Sequence, residues 1–132
     1  MNRKFSRNDL IYIILFSVFL FGAIVYNYNE KEDRVLIKNN YSITKGRFVD
    51  YDKVGDTSTP YITYSYEVEG KLYKRQVYGD RKYEYCYRND CSNLLFWVIY
   101  SPANPEKSLI DLTTEIQGLE NPPFPETLEN FE

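Results

Sequence analysis

The sequence predicts an all-β fold, a small antiparallel β-sandwich or partly open barrel, preceded by one N-terminal transmembrane helix. Three observations lead to this prediction. An uninterrupted apolar block, LIYIILFSVFLFGAIVY, lies near the start and contains no charged residue. Beyond it, apolar and polar residues alternate with the two-residue period of strands. The chain is also rich in aromatic residues, with 14 Tyr and 8 Phe among 132 residues, and aromatic residues favour strands.

The apolar block predicts a membrane anchor over residues 10–28, after a short basic tail at residues 1–9. As a helix, the block would span roughly 25 Å, near the lower limit for crossing a bilayer. A buried core helix fits poorly, because every face is apolar and the rest of the chain could not cover it. A cleaved signal peptide is the main alternative, but bulky residues follow Gly22 and Ala23, where a cleavage site needs small ones. We therefore expect an uncleaved anchor in the lipid bilayer.

The flanks of this helix differ little in charge. The N-terminal tail carries its basic residues close to the apolar block, whereas those after the block are more dispersed. This difference favours a cytoplasmic N-terminus and a C-terminal domain outside the cytoplasm. Residues 29–40 are polar and mixed in charge, which predicts a solvated stalk. The alternative is a continuation of the helix, in which Glu30 and Arg34 could pair at a spacing of four.

The β domain is predicted over residues 41–112. Its first strand, YSITKGRFVDY, has Ile43, Val49 and Tyr51 at positions that share one face of a regular strand. Gly46 indicates a bulge or the close approach of another backbone.

A hairpin follows within YITYSYEVEGKLYKRQV, with Glu69 and Gly70 as its two-residue turn. This register pairs Val68 with Lys71 and Tyr66 with Tyr73. It places the apolar side chains on one face and the polar ones on the other, and a shift by one residue would mix the two sets.

The segment LLFWVIY is apolar at every position, which is typical of a central strand covered on both faces. A turn with Pro102, Asn104 and Pro105 separates it from a short last strand, LIDL. The alternation predicts an aromatic core face made of Tyr64, Tyr66, Tyr73, Phe96 and Trp97.

Residues 113–132 contain five glutamates, several prolines and no basic residue, which predicts a disordered acidic tail. Three apolar residues in it form a possible docking motif, which is the alternative: Phe124, Leu128 and Phe131.

The composition excludes several kinds of chemistry. With no histidine, the chain has neither a Ser-His-Asp triad nor an imidazole-ligated metal. The net charge of −3 argues against nucleic-acid binding. The two cysteines, Cys86 and Cys91, are too few for a thiolate metal site and predict a structural disulfide in an oxidising compartment, with two unpaired thiols as the alternative. We expect no catalytic, cofactor-binding or metal-binding residues.

Three segments resemble a bacterial membrane-protein family of unknown function, whose members pair one or more transmembrane helices with a small β domain. The segments are TKGRFVDY, TPYITYSYEVEGKLYKRQV and FWVIYSPANPEKSLIDL, and the last carries the most specific motif, a strand leading into YSPxNPxxS. The resemblance implies a β-rich domain at the cell envelope and brings no catalytic residue with it.

The function expected from the sequence is a single-pass protein of the bacterial inner membrane whose non-catalytic β domain binds an unknown protein partner. The first alternative is an immunity or antitoxin-like protein that neutralises a toxin. The second is an enzyme that depends on carboxylates, which would need a pocket where the candidate acids converge: Glu67, Asp80, Glu84 and Asp111.

Overall fold

The computed structural model describes residues 6–54, 59–116 and 123–132. The chain divides into two compact units, Met1–Asp33 and Arg34–Glu132. The first described element is the helix α1, Arg7–Asn39, whose most apolar window has a mean hydropathy of 2.3 and is 0% buried. By length and composition α1 can cross a membrane, a property that a signal sequence near the N-terminus shares.

The predicted stalk is helical in the structure. Residues 29–39 continue α1 without a break, and the chain has neither proline nor glycine there to end the helix earlier. Near the end of α1, Ile37 is buried with only 3% of its surface exposed. The alternative of a continued helix is therefore the one observed, and most residues of this stretch are exposed to solvent.

Five antiparallel strands form one open sheet in the order β3-β2-β1-β4-β5. The strands are β1 Ser42–Val54, β2 Thr59–Val68, β3 Lys71–Tyr78, β4 Leu95–Tyr100 and β5 Ser108–Glu115, and a 3₁₀ helix, Arg81–Tyr87, lies between β3 and β4. The long strand β1 pairs with β4 near its start and with β2 over the rest. The all-β prediction is confirmed at this level, whereas a sandwich or barrel is not.

The hairpin of β2 and β3 has the register that the alternation predicts. Val68 pairs with Lys71 and Tyr66 pairs with Tyr73. Both turn residues have positive φ, 51° at Glu69 and 79° at Gly70. Positive φ at both central positions is what a type I′ turn requires, and the twist of this turn matches that of the strands it joins.

In β1, the predicted face is wrong. The register with β2 shifts between Phe48 and Asp50, so a bulge at Val49 interrupts the alternation. Phe48 and Tyr51 are both buried, while Val49 and Ile43 are exposed. Gly46 does not mark this bulge. It lies where an added Cβ would come within 2.5 Å of the Val98 side chain, so it allows close packing against β4.

The first hydrophobic cluster covers one face of the sheet and includes residues from all five strands. Side chains of β2 reach across this face: the Tyr64 hydroxyl lies 2.9 Å from Ser108 Oγ, and the Tyr66 hydroxyl donates to the Pro105 carbonyl. Burial raises the pKa of Tyr64 to about 12. The predicted aromatic residues Tyr64, Tyr66 and Phe96 are buried here, with Tyr73 packed against them.

Trp97 does not belong to that face. Successive residues of a strand point to opposite sides, so Phe96 enters the first cluster while Trp97 packs against a second one. The core of this second cluster comes from α1, two strands and the C-terminal segment: Ile37, Ile99, Leu109 and Phe131.

The described part of the predicted acidic tail is folded against the domain. Phe131 is 1% exposed, and the Trp97 indole N–H donates to the Pro123 carbonyl at 3.1 Å. Glu132 exchanges two backbone hydrogen bonds with Ile110, of 3.0 and 3.1 Å, along β5. For residues 123–132 the prediction of disorder is therefore wrong, and the apolar residues of the alternative docking motif pack onto their own domain.

Candidate interaction surface

The segment between β3 and β4 is held in place at its beginning by a cap. The Asp80 carboxylate accepts a hydrogen bond from the backbone N–H of Lys82 at 3.0 Å, which satisfies one free donor of the 3₁₀ helix. Residues three apart lie on the same side of a 3₁₀ helix, and Tyr83 and Cys86 are accordingly both buried. The Tyr83 hydroxyl donates to the Leu112 carbonyl at 2.8 Å, and burial raises the pKa of Tyr83.

The same segment is closed at its other end by a disulfide bond between Cys86 and Cys91, whose Cα atoms lie 5.6 Å apart. Both cysteines are part of the first cluster. The Cys91 carbonyl also accepts a hydrogen bond from the Leu94 N–H, at 3.0 Å, just before β4 begins. The cap, the buried tyrosine and the disulfide together fix a segment that forms no strand.

This fixed segment presents exposed aromatic side chains. Tyr85 is 50% exposed and Tyr87 is 59% exposed, because neither lies on the side of the 3₁₀ helix that holds Tyr83 and Cys86. Tyr78, immediately before the segment, is 57% exposed. We call Tyr78, Tyr85 and Tyr87 the exposed tyrosines.

A small polar cavity lies beside the 3₁₀ helix, with a volume of about 140 Å³, and is lined by Tyr51, Lys53, Arg81 and Glu84. Lys53 and Glu84 form a salt bridge across it. Their hydrogen bond raises the pKa of Lys53 and lowers that of Glu84, and both shifts favour the charged forms. The hydroxyl of Tyr51 is buried and has no hydrogen-bond partner among the described residues.

The four acidic residues of the enzyme alternative do not share a pocket. Glu67 is exposed on β2, Asp80 caps the 3₁₀ helix, and Glu84 binds Lys53. Asp111 is fully buried on β5, where one of its oxygens accepts hydrogen bonds from the backbone and hydroxyl of Thr113. The four carboxylates thus have separate surroundings, and the second oxygen of Asp111 is buried with no hydrogen-bond partner among the described residues. Among the described residues, no three His, Cys, Asp or Glu side chains are grouped so that they could hold a metal ion.

The predicted turn at Pro102, Asn104 and Pro105 joins β4 to β5. The Asn104 N–H donates to the Ser101 carbonyl at 3.2 Å, and the Asn104 carbonyl accepts from the Lys107 N–H at 2.9 Å. Because the Pro105 carbonyl also binds the Tyr66 hydroxyl, this turn is tied to the first cluster.

The polar cavity is the feature that sequence reasoning missed. Its residues come from β1 and from a segment about thirty positions later, which no local pattern connects. The bulge at Val49 adds to the difficulty, since it changes which residues of β1 share the face of Tyr51. The only local signal was the concentration of charged and aromatic residues in GDRKYEYCYRND.

No protein-family model matches this chain, and no curated protein or solved structure is significantly similar to it. The resemblance of its three segments to the bacterial membrane family remains a prediction from sequence. The immunity-protein alternative likewise gains no support from any contact among the described residues.

Proposed function

We propose that the chain is a single-pass protein of the bacterial inner membrane whose extracytoplasmic, non-catalytic β domain binds another protein of the cell envelope. The helix α1 supplies the anchor, and the proposed contact surface is centred on the disulfide-closed segment after β3. In this proposal the hairpin of β2 and β3 has a structural role. Its aromatic face forms part of the first cluster, which also contains the buried residues of the binding segment.

The exposed tyrosines are the observation that carries this proposal. Tyrosine is enriched in protein interfaces because it offers a large, rigid contact area and a polar hydroxyl. The segment's own buried residues hold it in place, so little conformational entropy would be lost on binding. Half or more of the surface of each exposed tyrosine faces solvent. These three side chains belong to neither hydrophobic cluster, so the folded domain does not use them for its own packing there.

The disulfide supports the proposed side of the membrane. Disulfides form and persist in oxidising compartments such as the bacterial periplasm and are rare in the cytoplasm. The Cys86–Cys91 bond closes a loop in the segment of the proposed contact surface, so this contribution to its rigidity would be present on the extracytoplasmic side.

Site-specific photo-crosslinking in intact cells tests the binding proposal. A photoreactive residue replaces Tyr85 in the full chain, and Leu72 on β3, 61% exposed, is the matched control position. We expect a discrete crosslinked product from position 85 and none from position 72. The double substitution Tyr78→Ala and Tyr87→Ala, which alters only exposed side chains, should abolish that product while the domain stays folded. Equal products from positions 85 and 72, or no product from either, would contradict the proposal.

A separate labelling experiment tests the side of the membrane. Gln76 is exposed on β3, and the described residues contain no free cysteine, so Gln76→Cys introduces a single reactive thiol. A membrane-impermeant maleimide should label this thiol in intact cells. Labelling only after lysis would place the domain in the cytoplasm and overturn this part of the proposal.

A further inference from the structure

We propose that the polar cavity lined by Tyr51, Lys53, Arg81 and Glu84 binds a carboxylate group presented by a ligand. This inference deepens the proposed function and rests on it for the identity of the ligand, because the cavity lies beside the segment that carries the exposed tyrosines. The volume of about 140 Å³ suits one functional group, since cavities that enclose a whole drug-sized ligand are several times larger.

The charges around the cavity favour an anion. Lys53 and Arg81 each contribute one positive charge, and Glu84 contributes the only negative charge among the lining residues. Glu84 is bound to Lys53, and within the described ranges no salt bridge reaches Arg81. The pKa of Glu84 is lowered chiefly by its hydrogen bond to Lys53, and Arg81 makes a smaller contribution to the same shift. One positive charge is therefore left uncompensated.

The chemistry of Arg81 selects the kind of anion. A guanidinium group is planar and can donate two parallel hydrogen bonds to a carboxylate, and such charged pairs are stronger than neutral hydrogen bonds. The cavity is also lined by Tyr51, whose hydroxyl is buried and has no hydrogen-bond partner among the described residues. Because almost none of the surface of this hydroxyl is exposed, a group in the cavity cannot contact it directly, and Arg81 supplies the contact to the bound carboxylate.

The test uses the full chain in detergent micelles, with acetate as the probe and acetamide as its neutral analogue. The side-chain Nε–H signal of Arg81 is followed by nuclear magnetic resonance during each titration. We expect a saturable shift with acetate in about the millimolar range and no saturable shift with acetamide. Arg81→Gln should weaken acetate binding by about tenfold, the effect of losing a charged hydrogen-bond donor.

Three further variants separate a built site from general charge attraction. Glu84→Gln removes the competing carboxylate, so acetate should bind more tightly. Tyr51→Phe deletes a hydroxyl that is too deeply buried to touch a group in the cavity and has no partner among the described residues, so acetate binding should be unchanged. Arg88→Gln makes the same charge change in the same segment but outside the cavity, and it should leave binding unchanged. Equal effects of Arg81→Gln and Arg88→Gln, or tighter binding of acetamide than of acetate, would overturn the proposal.

The source of the carboxylate is decided by comparing two larger probes, N-acetylglutamate for an acidic peptide and glucuronate for a sugar acid. We expect tighter binding of N-acetylglutamate, in agreement with a protein partner. Tighter binding of glucuronate would overturn the peptide assignment and leave the carboxylate site standing. If the crosslinked product of position 85 persists in Arg81→Gln, the protein-binding proposal holds and the cavity is not part of that contact. If acetate binds as expected but no product forms, the proposed function fails and the site does not.

Discussion

The two hydrophobic clusters lie on opposite faces of one sheet and are built in different ways. The first takes its side chains from all five strands, at alternating positions except at the bulge in β1, together with the segment after β3. The second receives only Ile99 and Leu109 of its four buried residues from strands, and the others are Ile37 of α1 and Phe131. Strand periodicity therefore determines one face of this sheet, whereas the other face is completed by segments whose own sequences are mostly polar.

This difference has an energetic consequence. Removing a side chain from the first cluster disturbs strands that pair with one another, so the whole domain loses stability. Among the described residues, the C-terminal segment is held to the sheet by one β-bridge to β5, by the hydrogen bond from the Trp97 indole to the Pro123 carbonyl and by its apolar side chains. We expect this segment to detach while the sheet stays folded, which would limit the cost of a change there to the free energy of docking the segment.

The largest effect is expected for Phe96→Ala in the first cluster. Phe96 is 0% exposed, and its ring meets that of Tyr83 edge-on at 5.6 Å. The substitution should lower the free energy of unfolding by about 3–5 kcal/mol, through lost burial and the cavity that remains. Chemical denaturation of the full chain in detergent micelles measures this change. Phe96→Leu is the control and should cost much less, and a loss below about 1 kcal/mol for Phe96→Ala would contradict the role of this cluster.

The next effect is a loss of stability at alkaline pH. The pKa of Tyr64 is raised to about 12 by burial, against about 10 in an unfolded chain. The folded state thus favours the protonated phenol, so this contribution is complete below pH 10 and is lost as the pH rises towards 12. Two pKa units correspond to roughly 2–3 kcal/mol.

Unfolding free energies measured at intervals from pH 9 to pH 12 test this effect. Tyr64→Phe removes the ionisable group, so it should lower stability by a constant amount below pH 10 through the lost contact with Ser108. Above pH 10 it should reduce the decline and leave the part that comes from other buried tyrosines such as Tyr83. The same slope in Tyr64→Phe and in the unaltered chain would show that Tyr64 is not its source.

Phe131→Ala tests whether the second cluster contributes less to the stability of the sheet than the first. Although Phe131 is as deeply buried as residues of the first cluster, we expect a cost of only about 1–2 kcal/mol, because the segment can undock locally. Hydrogen exchange provides the decisive measurement: the amides of Ile110 and Glu132, which bond to each other's carbonyls, should lose protection, and the amide of Ile62 should keep it. Uniform loss of protection would show that the two clusters unfold as one unit.

Sequence reasoning succeeded where two local signals agreed. In the hairpin, the turn residues and the alternation both specify the same pairing of Tyr66 with Tyr73. It failed for Trp97, because a strand that is apolar on both sides gives no indication of which face a residue takes. In the C-terminal segment, the acidic composition led to a prediction of disorder. The three apolar side chains there pack against partners that lie far away in the sequence, so no local pattern indicated their burial. The polar cavity was out of reach for the same reason, since Lys53 and Glu84 meet only in the folded chain.

The smallest effects are expected at the hairpin turn, where two adjacent residues should respond in opposite directions. Gly70 has a φ of 79°, and a Cβ added there would meet no atom within 4 Å. Gly70→Ala should therefore cost about 1 kcal/mol from backbone conformation alone. Glu69, with a φ of 51°, is a residue type that tolerates this conformation less well than asparagine does. Glu69→Asn should consequently stabilise the domain by roughly 0.5 kcal/mol. Thermal unfolding of both variants measures the pair, and a shift of the same sign in both would mean that positive φ is not what this turn demands.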